Sequence, residues 1–314
     1  MIHESVLLKE IIDGLSFQDG DVYLDATTGL GGHMEAVWQR MSARGSASGG
    51  KNQIVLAGID ADEMSITLSR ERLDLAGAKP KLAVLNFRDI DKALEILEIK
   101  NPTKILFDLG WNASQFFGSD SDTLVGIGRG FSFQKDEPLL MTFKQKVTED
   151  ETTAYDIVNS WEEENLADVI YGYGEEKYSR RIAKAIVASR SEGPIKSSGQ
   201  LAEIIKNAVP IFYRFGRIHP ATRTFQAIRI AVNDELHTLE EGLSKGFDIL
   251  DKEGRMAVVS FHSLEDRIVK RFFKSLVTEE KGKLINKKPI VASKEEIAKN
   301  SRSRSAKLRI IQKI

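Results

Sequence analysis

The chain has 314 residues, of which 41% are hydrophobic and 29% charged, and its formal net charge is -1. That size and balance fit a soluble globular chain with one sizeable core and a smaller second unit, and no stretch approaches the ~20 apolar residues that a membrane span needs. The lack of cysteine removes disulfides, thiol nucleophiles and Cys-ligated zinc, and the near-neutral charge means that any nucleic-acid partner must be argued from where the charges lie.

The start, Met1-Ile2-His3-Glu4-Ser5-Val6, carries neither a secretory signal nor an Arg-rich transit pattern, so a cytoplasmic location is expected. Ser5 to Ile12 reads as a short amphipathic helix capped by Ser5. A short apolar strand, Val22 to Ala26, then runs into Asp25-Ala26-Thr27-Thr28-Gly29-Leu30-Gly31-Gly32-His33, and a helix leaves that turn over Met34 to Met41. Glycines between a strand and a helix let the backbone approach a ligand, and the helix start offers it unpaired N–H groups. The dinucleotide fingerprint G-x-G-x-x-G needs glycine at position 34, where this chain has Met34. This tilts the expected ligand from NAD towards S-adenosylmethionine.

Residues 42–50 read as a flexible loop, and Ile54 to Ile59 as a second strand ending in Asp60, a carboxylate placed to accept from a ribose diol. Glu63 to Leu75 reads as helix and Leu82 to Leu85 as a third strand, followed by Phe87, which either covers an adenine ring or belongs to the core. Ile90 to Ile99 reads as helix with Leu94, Leu97 and Ile99 inward, and Ile105 to Phe107 as a fourth strand ending in Asp108-Leu109-Gly110. This alternation predicts an α/β fold, a mostly parallel sheet with helices on both faces. From about Asn112 to Arg217 no convincing strand is found. Helices are predicted around Ala154 to Ser160, Glu163 to Tyr171, Tyr178 to Ser189 and Gln200 to Ala208. The expected organisation is therefore a core first part at 1–111, an inserted helical domain at 112–217 and a core second part at 218–314. The second part carries helices over Thr222 to Leu236 and Leu239 to Leu250, a strand Met256 to Ser260, a helix Leu264 to Phe273, a basic irregular stretch and a last strand Lys307 to Ile311.

Six stretches now stand together: His3-x-x-Val6-Leu7-Leu8-x-Glu10, Gly29-x-Gly31-Gly32-His33, Arg129-Gly130-Phe131-Ser132-Phe133, Tyr173-Gly174-Glu175-Glu176, His219 to Arg229 (HPATRTFQAIR) and Ser260 to Arg267 (SFHSLEDR). In this combination the chain resembles the bacterial 16S ribosomal RNA cytosine-N4 methyltransferases of the H type, the MraW family. The resemblance implies a class I S-adenosylmethionine-dependent methyltransferase fold, Rossmann-like, with an inserted helical domain. It further implies N4-methylation of a cytidine in the decoding region of the small ribosomal subunit. Carried over position by position, it makes Gly31, Gly32, His33, Asp60, Phe87, Asp108 and Gln115 the cofactor-binding residues. Two departures stand out. Leu109-Gly110-Trp111-Asn112-Ala113-Ser114-Gln115 lacks the family's small hydroxyl residues, and Pro138-Leu139-Leu140-Met141-Thr142-Phe143 has uncharged residues where the family commonly has an acid and a base. Loss of both charges together favours a structural pair that apolar packing can replace.

The cytosine amine is a poor nucleophile, so acceptors that hold its hydrogens supply the help the reaction needs. Asp108, with the carbonyls of Leu109 and Gly110, is the candidate for that catalytic role, or else it binds only the cofactor's amino group. His262 either relays the released proton or hydrogen-bonds a loop. His219, before Pro220, reads as a turn residue or RNA contact. Five histidines without an HxxxH pattern or a cysteine give no expected metal site. Trp111, Phe131 and Phe133 are candidates to receive an unstacked base. Arg180, Arg181, Lys184, Arg214, Arg217 and the tail with Lys287, Lys288, Arg302, Arg304, Lys307 and Arg309 form basic stretches suited to phosphate contacts. The expected substrate is 16S rRNA in the assembled small subunit. An enzyme acting on DNA or another RNA, and a catalytically weak RNA-binding assembly factor, are the alternatives.

Overall fold

The structure is a computed structural model and describes residues 5–43, 54–110, 128–143, 147–148 and 151–314. His3, Trp111, Asn112 and Gln115 lie outside the described residues. The chain divides into two units, one of Met1–Asn112 with Leu236–Ile314 and one of Ala113–Glu235.

The first unit is built on a sheet whose central strands are buried on both faces, so their sequences run mostly apolar without a polar side. In chain order it holds α1 (Leu8–Leu15), β1 (Val22–Asp25), α2 (Gly32–Ser42), β2 (Val55–Asp60), α3 (Glu63–Leu75), β3 (Lys81–Val84), the single-turn α4 (Ala93–Ile96) and β4 (Lys104–Asp108). After the helical unit come α11 (Glu235–Ile249), β5 (Arg255–Ser260), α12 (Ser263–Thr278), β6 (Gly282–Leu284), β7 (Ile290–Val291), α13 (Lys294–Lys299) and β8 (Lys307–Lys313). The strand order is β3-β2-β1-β4-β5-β8-β6, with β7 also on β8. Strands β1 to β5 run parallel, and β8 returns antiparallel beside β5, with Ala257 opposite Ile310. This is the α/β sheet expected from the sequence.

Alternation along each strand sorts the core into two layers. Tyr23, Leu56, Leu106, Ala257 and Val259 face α1, α2 and α3, while Leu24, Ala57, Phe107, Met256 and Val258 face α4, α11 and α12. Three local expectations are corrected. Ser5 does not cap α1: the N-cap is Leu7, in the left-handed region, and its N–H donates to Glu296 from α13 at 2.7 Å. The helix expected over Ile90 to Ile99 is a 3-10 segment, Phe87–Lys92, followed by the one turn of α4, and Leu94 and Ile99 are only half-buried beside buried Ile90, Ala93 and Leu97. The basic stretch after α12 is ordered, because β6 and β7 pair with β8.

The helical unit holds α5 (Ala154–Ser160), α6 (Glu163–Gly174), α7 (Ser179–Glu192), α8 (Ser198–Ala208), the one-turn α9 (Ile211–Arg214) and α10 (Ala221–Asn233). It runs to Glu235, beyond the boundary expected at 217. The reason is α10, which packs lengthwise on α6 so closely that a Cβ on Gly174 would stand 2.6 Å from the Arg223 carbonyl oxygen. No helix among the described residues is long and apolar enough to cross a membrane.

Candidate active site

At the carboxyl edge of the sheet, β1 passes into a turn held by its neighbours. The Thr28 N–H donates to the Ile59 carbonyl at 3.0 Å, and its hydroxyl donates to the same carbonyl at 3.1 Å. Gly29 N–H donates to Asp60 Oδ2 and Asp62 N–H to Asp60 Oδ1, both at 2.9 Å, so the carboxylate at the end of β2 is oriented by the turn. Gly31 is the N-cap of α2 at φ +75°, and a Cβ there would meet the Ser69 Cβ at 3.1 Å. Only glycine satisfies both the sign of φ and the close approach of α3. The turn thus places the start of α2, with the unpaired N–H groups of a helix N-terminus, beside the strand ends.

Three titratable side chains meet behind the turn. Asp25, 1% exposed, accepts from Thr27 N–H and from the Tyr23 hydroxyl, each at 3.1 Å. Burial pushes its pKa up to about 6, against the opposing pull of His33, the Thr27 N–H and the Tyr23 hydroxyl. His33, in the first turn of α2, is buried and its Nε2 lies 3.2 Å from Asp108 Oδ2. Burial opposes the charge of the imidazole, but the hydrogen bond to Asp108 and the Asp108 and Asp25 charges outweigh it and hold the pKa above the ordinary value. Asp108 is fixed from a second direction, since its N–H donates to the Thr27 hydroxyl at 2.7 Å. Its other carboxylate oxygen, Oδ1, is buried and has no hydrogen-bond partner among the described residues. A buried carboxylate oxygen without a donor is costly, and its persistence points to a missing ligand N–H or O–H.

The sequence-predicted residues are thus placed unevenly. Asp108 and His33 touch, and Asp60 is tied to Gly29 in the same turn. Phe87 is half-buried, edge-on to Phe107 with ring centroids 5.7 Å apart, and against α11, where a Cβ on Gly242 would stand 2.6 Å from its ring. Gln115 lies outside the described residues. His262 is the N-cap of α12: Glu265 N–H donates to its Nδ1 at 3.4 Å, while His262 N–H donates back to Glu265 Oε2 at 3.2 Å. That reciprocal cap supports the loop-bonding reading of His262. Sequence reasoning missed Thr27 and Tyr23, which orient Asp108 and Asp25. The signal was there in the hydroxyl-bearing pair Thr27-Thr28 between the strand and the glycines.

The motifs of the helical unit act mainly on one another. Arg129 Nη1 donates to the carbonyl of Phe143 at 2.8 Å and lies over the Phe131 ring, which stacks on Phe143. Asn233 brackets the same segment, its Nδ2 donating to the Met141 carbonyl at 2.7 Å and its Oδ1 accepting from Phe143 N–H at 2.9 Å. The stretch lacking the acid and base is therefore held through its backbone, with Leu139, Met141 and Thr142 buried. Phe133 stacks on His219 at 4.3 Å, and His219 Nδ1 accepts from Ala221 N–H at 3.2 Å, the behaviour of a turn residue. Arg223 Nη1 donates to the Glu175 carbonyl and Gln226 Nε2 to the Tyr173 carbonyl, which joins the two long motifs across α6 and α10.

The sequence pattern that describes the MraW methylase family matches residues 1–314. The chain belongs to the MraW methylase family. Its relatives include the Ribosomal RNA small subunit methyltransferase H of Clostridium botulinum, strain Kyoto, 43% identical over 99% of this chain and 99% of that protein. The protein of the same name from Sulfurihydrogenibium sp. is 42% identical over 99% of both chains, and that of Brevibacillus brevis is 38% identical over 99% of this chain and 98% of its own. As a member, the chain is an S-adenosylmethionine-dependent methyltransferase, and its Rossmann-like sheet with a helical insertion is the class I fold that such membership implies.

Proposed function

We propose that this MraW methylase transfers a methyl group from S-adenosylmethionine to N4 of a specific cytidine in the decoding region of 16S rRNA, within the small ribosomal subunit. The names of the relatives support an rRNA of the small subunit as substrate. Exposed Arg180, Arg181 and Lys184 on α7 supply cations for phosphate contact. The helical unit, Ala113–Glu235, is on this reading the RNA-recognition part.

The observation that carries the reading is the Asp108 carboxylate, held on Oδ2 by His33 while Oδ1 stays buried without a partner among the described residues. A turn closed to any Cβ at Gly31, next to an Asp60 carboxylate oriented by the turn, suits a donor with a diol. Gly31, Gly32, His33, Asp60, Phe87, Asp108 and Gln115 are the residues we assign to it. The bound donor supplies an electrophilic sulfonium methyl. The chain supplies position and electrostatics: Asp108 Oδ1, with the carbonyls of Leu109 and Gly110, holds the amine hydrogens and draws N4 away from conjugation with the ring. His33, through its Nε2 contact with Oδ2, keeps that carboxylate aimed. As the N4–methyl bond forms, N4 gives up one proton, which passes by way of Asp108 to solvent, while His262 caps α12, which begins just past β5.

The test is methyl transfer from labelled donor to small subunits that lack the modification, followed by nuclease digestion and mass identification of the nucleoside. Wild type is expected to make N4-methylcytidine. Asp108→Asn is expected to lose about 100-fold or more in rate, in the range found when one preorganised polar contact to the reacting group is removed. Donor affinity is measured beside it. Product at another atom or in another nucleic acid would refute the substrate, and donor binding with no product on any RNA would favour an assembly factor.

A further inference from the structure

The segment Ile211-Phe212-Tyr213-Arg214-Phe215-Gly216-Arg217-Ile218 in the helical unit turns its apolar side chains to solvent. Phe212 is 71% exposed and Phe215 84%, with Ile211 at 70% and Ile218 at 50%. Scattered apolar residues on a surface mean little, but two aromatics within four residues, both mostly in water, are an informative exception. The segment is also firmly held. The Tyr213 hydroxyl donates to Oε2 of Glu176 at 2.7 Å, and Glu176 is itself fully buried. Burial and the Glu176 carboxylate push the Tyr213 hydroxyl up to about 12, so it remains a donor at any working pH. Arg214 donates to the carbonyls of Asn207 and Val209 at 3.0 and 3.3 Å, and Tyr213 N–H to that of Pro210 at 2.9 Å. The chain thus fixes the backbone under Phe212 and Phe215 and leaves their rings outside.

The segment carries Arg217 and rests against Lys177. Lys177 Nζ stands 5.0 Å from the Tyr178 ring and 5.2 Å from the Tyr213 ring, which themselves meet edge-on at 4.9 Å. Lys177 and Arg217 are exposed, and neither has an acidic partner among the described residues. Two nearby acids are already engaged: Glu176 by Tyr213 and Tyr178, and Glu203 by Lys206 at 3.2 Å. Aromatic rings presented on a rigid base, interleaved with positive charge, match a single-stranded nucleic acid, whose bases offer π-faces and whose backbone offers phosphates. A protein partner that buried the phenylalanines would have no use for the unpaired cations unless it were strongly acidic. We propose that residues 211–218, with Lys177, form a stacking platform for unpaired bases of the RNA substrate, Phe212 and Phe215 receiving bases and Arg217 and Lys177 the flanking phosphates. This rests on the reading of RNA as substrate.

The test uses the full chain and a short single-stranded oligoribonucleotide carrying one 2-aminopurine, whose fluorescence falls when it stacks, with a duplex of the same sequence as control. Wild type should quench the probe and prefer the single strand. The double variant Phe212→Ala/Phe215→Ala should bind about tenfold or more weaker and lose the quench, Phe212→Tyr/Phe215→Tyr should retain both, and Arg217→Ala should weaken binding and flatten its salt dependence. Because these side chains are exposed, the thermal midpoints should not move. Methyl transfer to small subunits is run in parallel. If wild type methylates and the double alanine variant binds the probe as tightly and quenches it as fully, the platform is refuted while the substrate reading stands. If no RNA is methylated yet the quench and its loss are seen, the platform stands and the substrate reading falls. Substitution that alters self-association in sedimentation, with RNA affinity unchanged, would mean that a second copy covers the surface and would likewise refute the proposal.

Discussion

Gly58→Ala tests whether the glycine turn is held as tightly as its hydrogen bonds imply. Gly58 lies in β2 between Asp25 of β1 and Leu82 of β3. A Cβ there would fall deep inside the contact distance of Thr28 Oγ1, at 2.9 Å from Leu82 Cδ2 and at 3.0 Å from Met34 Sδ. All three neighbours are buried, so none can simply swing into solvent. Thr28 must give way first, and with it go the hydroxyl bonds to the Ile59 and Asp25 carbonyls at 3.1 and 3.3 Å. Overpacking of this kind costs about 1 to 3 kcal/mol, and the disturbed hydrogen bonds about 1 kcal/mol more. The lower entropy of the unfolded alanine chain returns about 0.5 to 1 kcal/mol. The net expectation is a loss of about 1 to 3.5 kcal/mol in urea unfolding. Because Thr28 leads directly into Gly29 and Gly31, affinity for S-adenosylhomocysteine should fall at least tenfold in calorimetric titration. A variant as stable as wild type, binding that ligand equally well, would show that the turn has slack and refute the account of why glycine stands in β2.

Two further perturbations probe the charges and the helical unit. Asp25, raised to about 6 mainly by burial, holds its proton more tightly in the native state than in the unfolded one. Its contribution is therefore full below about pH 4 and lost as pH rises to about 6, and Asp25→Asn should flatten that limb by roughly 2 to 3 kcal/mol in urea midpoints measured from pH 4 to 8. Equal slopes for the two proteins would contradict it. His33 acts in the same sense at higher pH, its raised pKa giving stability that is present below about 6.5 and lost above. Gly172, within α6, is exposed and has open space where a Cβ would go, so Gly172→Ala should raise stability by about 0.5 to 1 kcal/mol, read as a higher thermal midpoint. A lower midpoint would show that the glycine serves a contact the structure does not contain.

The sheet was legible because its strands are short apolar runs ending in Asp25, Asp60 and Asp108, and a parallel strand must expose that end to a loop. Composition and period were enough to single out Asp60 and Asp108, though not Asp25, nor to say which groups meet. Asp108 pairs with His33, which is 75 residues away in sequence, while Asp60 is claimed by the backbone of the turn. The choice depends on β1 lying between β2 and β4, a pairing that no local pattern encodes. The same limit explains the short segments. The basic stretch after α12 reads as irregular because β6 and β7 have only three and two residues, too few for a period, and they exist because β8 offers them an edge.

The domain boundary shows where periodicity misleads. Phe225, Ile228 and Val232 recur at helical spacing whichever unit receives them, so the pattern predicts α10 correctly and says nothing of its partner. What assigns α10 to the helical unit is a close backbone approach, Gly174 under Arg223, together with Asn233 reaching the segment 141–143. Both are glycine and amide contacts without a hydrophobic signature. The long motifs at 173–176 and 219–229 are accordingly two halves of one junction, and much of their specificity is spent on holding α6 to α10. Residues 211–218 lie between those halves and are braced by them through Glu176 and Tyr213, so a rigid exposed platform follows from a junction whose first duty is structural.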